Sequence, residues 1–152
     1  MSTRTALGLS KWGMETMKPS KPEWNIPQNL QSLLDSDEDL TWEAHDWSPI
    51  QLTVMGGTTY DGRDIDQSWQ IEFDPSEVDF EASNQKLSGM GIEADGYGWA
   101  RLIQEVAKKY HPDMADELHF GDTEESTCVV WVESEATCRR LVDVVWTLIY
   151  DT

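Results

Sequence analysis

Thr127-Cys128-Val129-Val130-Trp131-Val132-Glu133-Ser134, followed by Glu135-Ala136-Thr137-Cys138-Arg139-Arg140-Leu141-Val142-Asp143-Val144-Val145-Trp146-Thr147-Leu148-Ile149-Tyr150, is the stretch whose reading decides the fold. Its first six residues form a nearly unbroken apolar and β-branched run, the signature of a buried strand. Ser134 can accept a hydrogen bond from a backbone N–H of a first helical turn, so it predicts an N-cap. Cys138, Leu141, Val142, Val145, Leu148 and Ile149 then recur at steps of three and four, which lines one face of an α-helix.

The same reasoning extends upstream. Trp99, Leu102, Ile103, Val106 and Tyr110 keep the helical period, and Pro112 stops that helix. An Asp- and Glu-rich loop up to Glu125 joins it to the strand. Ile50-Gln51-Leu52-Thr53-Val54 and Trp69-Gln70-Ile71-Glu72-Phe73 alternate apolar and polar residues. They predict two strands, with a turn at Tyr60-Asp61-Gly62-Arg63 that makes them antiparallel. Gly56-Gly57 is expected to end the first strand, and Asp74-Pro75 the second. Pro27 suits the first turn of a short helix carrying Leu30, Leu33 and Leu34 on one face. Residues 76–91 show no clear period. The order predicts a single α+β domain over residues 25–152. Its sheet is antiparallel or mixed, with helices packed on one face. Residues 1–24, interrupted by Gly8, Gly13, Pro19 and Pro22, read as an irregular segment.

Charge narrows the function. The 152 residues carry 29 Asp and Glu against 11 Lys and Arg, a net of −18. After residue 24 the imbalance is 27 acids to 7 cations, a net of −20. Such a field repels nucleic acid and anionic membrane and attracts basic partners. Cys128 and Cys138 form no CxxC pair, so two reduced thiols are expected. The opening residues MSTRTALGLSKWGM lack the apolar run of a secretory leader, and no stretch reaches the roughly 18 apolar residues of a membrane span. A cytoplasmic location is the expectation.

No reaction centre stands out. Gly89-Met90-Gly91-Ile92-Glu93-Ala94 lacks the third glycine of a dinucleotide loop, and Glu93 and Asp95 sit where an anion would bind. His111, Asp113, Asp116 and His119 offer ligand types for zinc or iron, but in no established spacing, and Pro112 breaks the helix between them. Asp61-Gly62-Arg63-Asp64-Ile65-Asp66 lacks the closing glutamate of a calcium loop. Ser126 and Cys128 near His119 lack a nucleophile elbow. Neither a catalytic residue, nor a metal, nor a cofactor is expected, and the protein is read as a binder.

Asp95-Gly96-Tyr97-Gly98-Trp99-Ala100-Arg101-Leu102 resembles the "GNGYDW" segment of family fifty-one of the bacterial polymorphic-toxin immunity proteins. Gly96, Tyr97 and Trp99 match that motif, whereas Ala94-Asp95 stands for the usual Gly-Asn and Gly98 for Asp. His119-Phe120-Gly121-Asp122-Thr123-Glu124-Glu125 stands where the family has an acidic "FD-E" turn, here with an extra glycine. A strand and a closing helix follow in the same order, so the resemblance spans about residues 89–150.

The resemblance implies a protein that neutralises a cognate toxin domain by binding it, without catalytic residues of its own. The charge then points to a basic, nuclease-like toxin held 1:1, with no direct contact to nucleic acid. Two surfaces are candidates. One interleaves acids and tryptophans: Asp35, Asp37, Glu38, Asp39, Trp42, Glu43, Asp46 and Trp47. The other carries Asp122, Glu124 and Glu125. The alternative readings are an acidic adaptor or a nucleic-acid mimic that inhibits another basic protein, and then a small enzyme.

Overall fold

Both strands read from alternation extend well beyond their alternating cores. The computed structural model describes residues 19–151. In it β2 (Gln51–Tyr60) runs through Gly56-Gly57 without ending, and β3 (Arg63–Phe73) begins at the turn. Their antiparallel register holds from Gln51↔Glu72 to Tyr60↔Arg63. A long ladder overrides the weak strand preference of two glycines, and Gly57 takes up the local twist at a φ of 46°.

β4 (Cys128–Val132) pairs with the other side of β3, and β1 (Thr41–Ala44) pairs with β2. The sheet is therefore wholly antiparallel in the order β1-β2-β3-β4. A single bridge from His119 to Trp131 extends it past β4, through two backbone bonds of 3.0 Å each. The sequence reading expects no strand in the acidic stretch that holds β1.

Helices cover one face. Leu52, Val54, Trp69, Ile71, Phe73, Val130 and Val132 point into a core shared with five helices. These are α1 (Leu30–Ser36), α2 (Glu81–Gly89), α3 (Gly96–Tyr110), α4 (Pro112–Ala115) and α5 (Glu135–Tyr150). Cys138, Leu141, Val142, Val145 and Ile149 of α5 are all buried, as the period required. Each large side chain so buried contributes roughly 1.5–3 kcal/mol of transfer free energy.

Aromatic rings fill two ends of this core. Phe73 stacks on Phe80 at 5.0 Å, and Trp99 meets both rings edge-on at 5.4 and 5.3 Å. At the other end Trp47 packs against Trp24 and Trp146 at 6.2 and 5.6 Å. Ser134 caps α5 by accepting from the Thr137 N–H. Asp95 caps α3 by accepting from the Gly98 N–H at 2.8 Å. Residues 19–24 lie outside any helix or strand, and residues 1–18 of the expected irregular segment fall outside the described residues.

Candidate partner-binding surface

The two acidic segments lie at opposite edges of the sheet, so the fold does not join them into one surface. The first surrounds β1. Residues 22–62 contain eight acids and no Lys or Arg. Asp35, Glu38, Asp39, Glu43 and Asp46 are exposed. Asp37 instead holds its own turn, accepting from the N–H groups of Asp39 at 2.9 Å and Thr41 at 3.1 Å. Those bonds, the Thr41 one foremost, keep its carboxyl below the usual range. Glu43 accepts from the Gln51 amide.

The tryptophans of this segment correct the expectation. Trp47 is 3% exposed and wedged between Trp24 and Trp146, so it cannot present its ring to a partner. Trp42, opposite Val54 in the register, packs its partly buried ring against the core. A Trp among acids carries no mark of which way its strand faces. This edge is thus acidic without a free aromatic anchor.

The second segment is better built. Asp122, Glu124 and Glu125 are exposed and form no ion pair among the described residues. Their loop is held at several points. The Thr123 hydroxyl donates to the Val129 carbonyl at 2.8 Å and accepts from the Val129 N–H at 3.1 Å. The Glu124 and Thr127 backbones exchange two bonds, at 2.9 and 3.2 Å. The Gly96 N–H donates to the Glu125 carbonyl at 2.7 Å.

That last bond explains the Gly-Tyr-Gly-Trp string. A Cβ on Gly96 would collide with the Glu124 carbonyl oxygen, and one on Gly98 with the Glu93 carbonyl oxygen. Both glycines exist for close backbone approach. Trp99 is fully buried, and its indole N–H donates to the Asn84 side chain at 2.8 Å. Gly96 therefore docks the start of α3 on the acidic loop, Trp99 anchors it to α2 and the core, and Tyr97 between them stays 57% exposed.

On its other side the loop borders the open sheet face. A cleft of about 380 Å³ lies there, lined by Met55, Tyr60, Ser68, Gln70, Asp122 and Trp131. The His119 ring stacks on Trp131 at 4.0 Å, and Tyr60 meets both edge-on at 5.1 and 4.9 Å. Sequence reading missed this trio because some 60 residues separate Tyr60 from its partners.

The remaining candidate chemistry is dispersed. Asp113 forms a two-pronged pair with Arg140 at 2.9 and 3.2 Å, which lowers its carboxyl value, and His111 also faces that guanidinium. His119 belongs to the aromatic trio instead. No group of three or more His, Cys, Asp or Glu side chains among the described residues is placed to hold a metal ion. Cys128 and Cys138 are buried and free, and burial pushes the Cys128 thiol up to about 12. Among the described residues no helix is long and apolar enough to cross a membrane.

A family model described as Immunity protein 51 matches residues 63–152, from the first residue of β3 to the end of the chain. The match takes in the Gly-Tyr-Gly-Trp corner, the acidic loop and both strands beneath the cleft's floor and wall. No curated protein and no solved structure matches the chain.

Proposed function

Since the match spans more than half of it, the chain belongs to the Immunity protein 51 family, and from that premise we propose that it binds and neutralises a basic, nuclease-like toxin domain in a 1:1 complex. It does so in the cytoplasm of the cell that makes it, by occupation rather than by catalysis. The observation that carries this reading is the loop at Asp122–Glu125. Its three carboxylates are exposed, without cationic partners among the described residues, and set on a backbone already pinned to α3 and β4.

A pinned loop loses little conformational entropy on binding, so its charge is available for recognition. Carboxylates presented in this way take the places that phosphates of a polyanionic substrate would occupy on a basic toxin. The excess of acids after residue 24 extends the attraction beyond contact distance and raises the association rate. Exposed Tyr97 and Tyr60 flank the loop and supply the aromatic anchors that lengthen a complex's life. The β1 edge, acidic but without a free aromatic ring, contributes to steering.

Co-expression tests this. A toxin domain whose gene adjoins that of this chain should arrest growth alone and lose that effect when the chain is present. The purified pair should elute as one 1:1 complex, whose association slows steeply as salt rises from low to physiological levels. A toxin that stays active and elutes apart would refute the reading. Capture of another basic protein in its place would favour the adaptor or mimic.

A further inference from the structure

Of the open sheet face, the cleft beneath Tyr60 has the most specific chemistry. Its floor combines Ser68 and Gln70 of β3 with Met55 of β2, and Trp131 of β4 with the ring of Tyr60 makes its aromatic wall. Asp122 stands at one side. Thr59, also on its rim, donates to Asp64 at 3.1 Å, which sets a second carboxylate nearby. The neighbouring cation, Arg63, is taken: Glu133 holds it at 3.1 and 2.8 Å and faces His119 at 3.4 Å as well. The cleft therefore sets one lining carboxylate and the acceptors of Ser68 and Gln70 beside apolar Met55, under a ring that is 43% exposed.

Each of these features favours the same occupant. A guanidinium is planar, carries five donors, is only weakly hydrated and stacks on aromatic faces. Carboxylates and a glutamine carbonyl satisfy its donors, and a tyrosine face covers its plane. An uncharged apolar chain would leave Ser68, Gln70 and Asp122 without partners, at a cost. We propose that this cleft receives an arginine side chain of the toxin domain, with Tyr60 as its stacking platform and Asp122 as its counter-charge. The inference rests on the proposed immunity function and adds to it the point of insertion.

Binding of the full chain to the purified toxin domain, measured by surface plasmon resonance, separates the two. Gln70→Lys places a cation in the cleft, and Tyr60→Ala removes the platform. Near-UV circular dichroism confirms that each variant keeps its tertiary packing. With the wild-type complex formed, Gln70→Lys is expected to weaken affinity by about 100-fold and Tyr60→Ala by about 10-fold or more. Tyr60→Phe, which keeps the ring, should stay within about threefold of wild type. Wild-type binding with both Gln70→Lys and Tyr60→Ala unchanged would overturn the cleft while leaving the immunity function standing. Equal losses for Tyr60→Phe and Tyr60→Ala would overturn the stacking role. A wild-type chain that fails to bind the toxin would overturn both.

Discussion

Gly96→Ala is expected to destabilise the protein by about 2–3 kcal/mol, a size that follows from three neighbouring atoms and one hydrogen bond. The added Cβ would overlap the Glu124 carbonyl oxygen and lie 2.8 Å from the Thr127 oxygen and 2.9 Å from its carbonyl carbon. All of these belong to backbone, so no side chain can swing aside. Either the first turn of α3 shifts or the acidic loop lifts, and lifting breaks the 2.7 Å bond from Gly96 to Glu125. Forcing extra volume into a packed site costs roughly 1–3 kcal/mol, and the broken bond adds about 1. The stiffer unfolded chain returns roughly 0.4–1 kcal/mol. In melting temperature the net is a fall of about 5–10 °C for a chain of this length. Urea unfolding followed by tryptophan fluorescence measures it directly. Gly89→Ala is the control, because it lies in the last turn of α2 with no atom within 4 Å of the added Cβ. It should leave stability unchanged or raise it slightly. Equal stability of the two alanine variants would refute the account of the corner.

Two further predictions concern ionisable groups. Burial lifts the Cys128 thiol to about 12 and the Cys138 thiol higher still, so neither should react with an aromatic disulfide reagent at pH 8 in the native protein, while both react in denaturant. Prompt labelling of the native chain would contradict their burial. The Asp37 carboxyl is held below its ordinary value of 3.8 by the Thr41 and Asp39 N–H groups, so its contribution is complete above that value and fades as pH falls through the lower folded value. Asp37→Asn should therefore be less stable than wild type at neutral pH, with the gap closing in acid; a gap that widens in acid would refute this.

The elements legible in the sequence are those whose burial repeats. α5 and α3 show a full stripe of apolar positions, and β4 is apolar on both faces because its outer face lies under His119, Tyr60 and the acidic loop. α2 was not legible: it buries only Ser83 and Leu87, too few for a period. β1 was hidden by the acids around it, since an edge strand of four residues buries one face only at Ala44 and partly at Trp42. For the same reason Trp47 looked like surface and is core. Of the candidate surface, Asp122, Glu124 and Glu125 could be named in advance because a loop between two periodic elements must be outside. The place of Tyr60 could not, because it depends on a hairpin beside β4 and on His119 stacking there.

The two margins of the sheet are guarded differently. Past β4, the His119 bridge and the pinned loop close the ladder. Past β1 the strand is four residues long, and Asp37, Glu38, Asp39 and Asp46 stand at its two ends. A second chain attempting to add its own β1 there would bring like charges face to face over too short a run of backbone to offset them. Strand-to-strand polymerisation is thereby discouraged by the same carboxylates that give the chain its field.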